Sequence, residues 1–171
     1  MLIIPTLAIV AWWVWPPSAE VRELDKPAAT TSEAAPLPTY ALETDGGLSA
    51  PSDAAEGEGS TRLRYRLDSR FDWRLQPEGE VAGELALRAF VFPEAPTIGD
   101  ARALSLGELG SVEIGGARIH GLIGALALDP GRYTIALVVG RPGSLPEQAQ
   151  AVHGSTGTEA WALRRVAIEI E

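Results

Sequence analysis

The chain holds two histidines, His120 and His153, and no cysteine. Thiolate metal sites, disulfides and cysteine nucleophiles are therefore excluded, and two histidines leave little room for a zinc enzyme. His120 precedes Gly121 and lies near Asp129 in sequence, so a Ser–His–Asp set can be drawn with Ser105 or Ser111. No nucleophile-elbow motif of the GxSxG kind supports that set. His153 is expected at the end of a helix, where a cation suits the dipole. Asp68 and Asp72 have same-face spacing on a strand, but arginines separate and flank them. That arrangement suits ion pairing; a carbohydrate-active enzyme using carboxylates is kept as an alternative. The oxygen-rich loop that calcium requires is missing from the sequence. Gly154-Ser155-Thr156-Gly157 lacks the lysine of a phosphate loop. The expectation is a non-enzymatic protein that needs no cofactor and no metal.

The strongest residue pattern is a row of arginines. Arg62, Arg64, Arg66, Arg70 and Arg74 alternate with Leu63, Tyr65, Leu67, Ser69, Phe71, Trp73 and Leu75. Side chains on a strand alternate faces, so one face is apolar and the other charged. A helix fits poorly, because the arginines would wrap the whole cylinder. The segment is expected to be one long strand, or two strands joined by a bulge near Asp68–Ser69. Its arginines would then form one interaction face for a protein or a polyanionic ligand. The reading preferred over that candidate is a solvated face balanced by acids on neighbouring strands.

The rest of the C-terminal part repeats the strand signal. Val81–Phe92 reads as a strand region with Leu85, Leu87, Ala89 and Val91 on one parity. Residues 102–107 and 111–114 read as short strands, and Gly115-Gly116 as a turn before Ala117–His120. Asp129-Pro130-Gly131 marks a tight turn. Tyr133, Ile135, Leu137 and Val139 follow on one face, with Ala136 and Val138 on the other, as in a central strand. Ser144 and Glu147 have capping-box spacing, which predicts a helical excursion through 145–152. Trp161–Ile170 closes the chain as a strand, with a bulge or face switch expected near Arg164-Arg165. This pattern predicts an all-β fold over residues 61–171: an antiparallel, immunoglobulin-like β-sandwich with one short helix.

Two segments precede that domain. Residues 2–15 carry no charge, and Trp12, Trp13 and Trp15 cluster at their far end. A helix of that length spans only about 21 Å against a hydrocarbon core of roughly 30 Å. The preferred reading of residues 1–17 is a transmembrane helix whose first turns precede Met1. A signal or anchor peptide, or an apolar run buried on a protein partner with the three tryptophans as anchors, are the alternatives. Residues 18–60 are rich in Ala, Pro, Ser, Thr and Glu and show no sustained apolar period, which predicts a disordered acidic linker. A short piece around Tyr40–Leu42 is expected to be able to dock on the domain. Nine acids face two bases before residue 61, so most of the formal charge of −9 belongs there. That sign argues against a nucleic-acid partner.

Arg88-Ala89-Phe90-Val91 and the stretch from Val138 to Pro146 (VVGRPGSLP) resemble pieces of uncharacterised single-pass regulators of the anti-sigma type from myxobacteria and related bacteria. The resemblance covers at most residues 62–170 and matches no known ligand or catalytic residue. It implies an extracytoplasmic, periplasmic β domain with a sensory or scaffolding role in signalling. With the order of apolar run, linker and domain, the expectation is a membrane-tethered binding or interaction domain. A structural or accessory subunit of a larger assembly is the alternative.

Overall fold

The computed structural model describes residues 36–50, 62–95 and 100–171, all within the unit Ala35–Glu171. Ten strands follow in chain order: β1 Tyr40–Asp45, β2 Leu48–Ala50, β3 Arg62–Tyr65, β4 Arg70–Pro77, β5 Ala86–Pro93, β6 Arg102–Leu104, β7 Gly110–Glu113, β8 Gly116–Leu122, β9 Gly131–Gly140 and β10 Trp161–Ile170. One helical turn, α1 Ala149–Val152, lies between β9 and β10. A four-stranded sheet has the order β1-β4-β8-β7, and a six-stranded sheet has the order β2-β3-β10-β9-β5-β6.

Period-2 alternation makes each sheet two-faced, and the two apolar faces meet. Tyr65, Ile135, Leu137 and Val166 from the six-stranded sheet share one buried cluster with Phe71, Trp73, Leu75 and Ile119 from the four-stranded sheet. The result is a β-sandwich-like fold, mostly strand with one short helix. Leu63, Tyr65, Phe71 and Trp73 are all buried, as the alternation requires. Strand β9 is covered on both sides. Its Tyr133, Ile135, Leu137 and Val139 enter the central cluster, while Ala136 and Val138 pack with Phe90, Trp161, Leu163 and the α1 residues Ala149 and Val152.

Several sequence expectations are corrected. The sandwich is not wholly antiparallel, because β3 runs parallel to β10, with Leu63 opposite Ile168 and Tyr65 opposite Ile170. The linker does not extend unbroken to residue 60. Strand β1 forms an edge of the four-stranded sheet against β4, and β2 pairs with β3. Tyr40 is fully buried and its hydroxyl donates to the Gly115 carbonyl at 2.9 Å. Only Tyr40 and Leu42 give β1 an apolar parity, too short a signal to stand out from the polar stretch around it.

The helix is also shorter than expected. Ser144 caps no helix; its hydroxyl donates to the Arg141 carbonyl at 2.8 Å, with the Ala160 carbonyl 3.2 Å away, and α1 begins only at Ala149. Strand β10 has no bulge at Arg164-Arg165, since its register with β9 runs unbroken from Trp161–Gly140 to Ile170–Gly131. The apparent face switch arises because α1 covers the outer face at one end of β10 and buries Trp161 and Leu163 there, while Val166, Ile168 and Ile170 of the other parity are buried in the central core.

Candidate functional site

The arginine row is divided by the fold. After β3 the chain turns at 66–69 and re-enters as β4 in the opposite sheet. The turn is closed by the Ser69 amide donating to the Arg66 carbonyl and the Arg66 amide donating to the Ser69 hydroxyl, each at 2.9 Å. It is tied to the 3-10 turn Ile123–Leu126 by amide bonds from Ile123 to Ser69 and from Gly124 to Leu67. Alternation still sends every arginine outward, but outward from two stacked sheets means two opposite directions. Arg62 and Arg64 therefore lie on the outer side of the six-stranded sheet, and Arg70 and Arg74 on that of the four-stranded sheet, with Arg66 in the turn. The single arginine face expected from the sequence is corrected accordingly. Leu67, expected inside, sits at the corner and is 46% exposed.

Three of the five arginines are neutralised in place. Arg62 is buried and pairs with Glu94. Arg64 reaches Glu169 at 2.9 Å, and Arg132 reaches the other oxygen of that carboxylate at 3.1 Å. The Glu169 carboxyl is held below its usual range, chiefly by the hydrogen bond from Arg132 and then by that from Arg64. Arg74 donates to Asp72 at 2.7 Å. Among the described residues, the side chains of Arg66 and Arg70 make no ion pair.

Asp72 organises the outer face of the four-stranded sheet. Arg118, brought over by β8, grips it with two bonds, Nε–H to Oδ1 at 2.9 Å and Nη2–H to Oδ2 at 2.7 Å. Arg74 adds Nη2–H to Oδ2 at 2.7 Å. Arg118 first, and Arg74 second, push the Asp72 carboxyl far below the ordinary carboxylate range. Sequence spacing pointed to Asp72 but missed Arg118, whose partnership depends on the β4–β8 register. Asp68, the other half of the expected carboxylate pair, lies in the crossover turn and not on the Asp72 face.

Across the sheet, Asp72 stands between Asp45 of β1 and His120 of β8. Arg70 stands opposite Leu122. These residues line an open groove of about 600 Å³, bounded by Asp45, Arg70, Asp72, Arg118, His120 and Leu122, with Phe71 among its lining residues. His120 thus faces Asp72 across the strands, whereas Asp129 lies in the turn before β9 and accepts the Tyr133 hydroxyl on its carbonyl. Ser111 stands opposite Arg118. His153 follows α1 with its ring centroid 5.8 Å from that of Phe92.

Among the described residues, no group of three acidic or histidine side chains is placed to hold a metal ion. Nor is any described helix long and apolar enough to cross a membrane. Residues 1–17, with Trp12, Trp13 and Trp15, lie outside the described residues. Comparison with protein-family models, curated proteins and solved structures returns no match.

Proposed function

We propose that this chain is a non-enzymatic binding or interaction protein. In this reading the β domain is held at a membrane by residues 1–17 and acts outside the cytoplasm, as the extracytoplasmic part of a regulator. The observation that carries the reading is the groove on the outer face of β1, β4 and β8. Its central carboxylate is fixed: Asp72 is saturated by Arg74 and Arg118, which favours a rigid recognition surface over proton transfer. Protein interaction surfaces commonly combine apolar contacts with polar groups around them. Two stacked sheets, with the final strand central in one of them, also support the immunoglobulin-like description of the fold.

Site-specific photocrosslinking tests the binding role. A photoreactive residue replacing Leu122 should form a discrete adduct in the native membrane fraction, while the same group replacing His153, on the α1 side, should not. Adducts formed only from position 153 would overturn the groove as the binding surface. Fractionation tests the tether: the full chain should sediment with membranes and a chain lacking residues 1–17 should not. Sedimentation of both would refute it.

A further inference from the structure

We propose that the groove over β1, β4 and β8 takes an extended acidic segment of a partner protein, placing a carboxylate on Arg70 and an adjacent apolar side chain on Leu122. This rests on the groove being the binding surface. Arg70 is the groove cation that no ion pair occupies among the described residues, while Arg118 gives its Nε and Nη2 to Asp72. A free guanidinium offers five donors in a fork that matches a carboxylate. Asp72 is already satisfied by two arginines, so it has little capacity left to attract a cationic ligand.

The surroundings select the kind of acid. Leu122 is 47% exposed beside Arg70, and Leu67 is 46% exposed in the turn that leads into β4. Arg66, in that same turn, also lacks an ion-pair partner among the described residues. Two basic and two apolar side chains at one corner match a peptide in which acidic and apolar residues alternate. Asp45 lines the same groove, its Oδ1 accepting the Gly46 amide at 2.8 Å, and Asp68 lies in the turn. Those two carboxylates repel a dense polyanion or a flat anionic lipid surface, but leave room for one carboxylate at a time. Division of the arginine row between two opposite faces removes the extended basic strip that a polyanion would need.

The test is fluorescence anisotropy on the full chain with a labelled peptide of alternating glutamate and leucine. The native chain should bind it. Arg70→Gln should weaken binding about tenfold or more, as expected for losing a charged hydrogen bond. Arg64→Gln, on the other sheet, should leave binding unchanged, and circular dichroism should show each variant folded. Unchanged affinity in Arg70→Gln would overturn the proposal. So would preference for a lysine–leucine peptide that Leu122→Asp alters; the groove would then stand and its acidic specificity fall. Arg70-dependent binding to phosphatidylserine vesicles, without peptide binding, would replace the partner protein by a lipid surface. If Leu122→Asp alters no binding of any probe, both the proposal and the groove reading fail.

Discussion

The indole Nε1–H of Trp73 donates to the Tyr65 hydroxyl at 3.1 Å, and this bond joins the two sheets through the core. Tyr65 lies on β3 of the six-stranded sheet and Trp73 on β4 of the four-stranded sheet. Their rings meet edge to face, with centroids 6.4 Å apart, and Phe71 packs on Trp73 at 4.5 Å. Burial raises the Tyr65 hydroxyl pKa further above its ordinary value. A buried indole N–H left without its acceptor costs roughly 1–3 kcal/mol. Tyr65→Phe should lower unfolding stability by that amount, and Trp73→Ala by about 3–5 kcal/mol. Urea melts measure both; a neutral Tyr65→Phe would show that the bond contributes nothing.

Acid should loosen the Asp72 cluster. Hydrogen bonds from Arg118 and then Arg74 depress the folded-state pKa of Asp72. Its contribution to stability is therefore complete above the unfolded value of about 4, and is lost as pH falls through the lower folded value. Glu169, lowered chiefly by Arg132, adds a dependence of the same sign. Unfolding midpoints taken from about pH 5 to about pH 2 should fall less steeply in Asp72→Asn than in the native chain. Identical slopes would remove Asp72 from the acid response.

Gly46 cannot take a side chain. It has φ of +88° in the link between β1 and β2, and an added Cβ would collide with the Arg70 carbonyl. Gly46→Ala should destabilise by more than about 1 kcal/mol. It should also disturb amide resonances of both Asp45 and Arg70, which flank the collision. A stability gain would contradict the crossing geometry.

Ile114 breaks the usual turn chemistry. With Gly115 it forms the two-residue link between β7 and β8, with φ of +27° and +80°. Positive φ at both positions favours Asn-Gly, yet a β-branched residue stands first and is fully exposed. Ile114→Asn should raise stability by about 0.5–1 kcal/mol. Thermal unfolding reads the change, and a drop in midpoint would mean that the isoleucine makes a stabilising contact.

Much of the strand pattern was readable before any coordinates. Tyr133, Ile135, Leu137 and Val139 announced β9, because four large apolar residues at period 2 have no other common fit. Ala89 and Val91 did the same for β5, which begins only at Ala86, later than the expected start at Val81. Tyr40 was noticed only as a residue able to dock, because one buried ring and one neighbour at period 2 scarcely rise above composition. Arg118 and Asp45 gave no signal as site residues. Their place beside Asp72 follows from which strands pair and in which register, and each of those pairings joins strands that other strands separate in the chain.

Local alternation alone determined that Arg62, Arg64, Arg70 and Arg74 turn away from the core while Tyr65 and Trp73 turn into it. Steric pleating acts over two residues and needs no knowledge of the fold. Whether the arginines form one face or two was decided only by the crossing at residues 66–69. That turn moves the second half of the row to the other sheet, held there by the Ile123–Leu126 turn and by the Trp73–Tyr65 bond. Outward is a local property of a strand; the direction it points in space belongs to the packed pair of sheets.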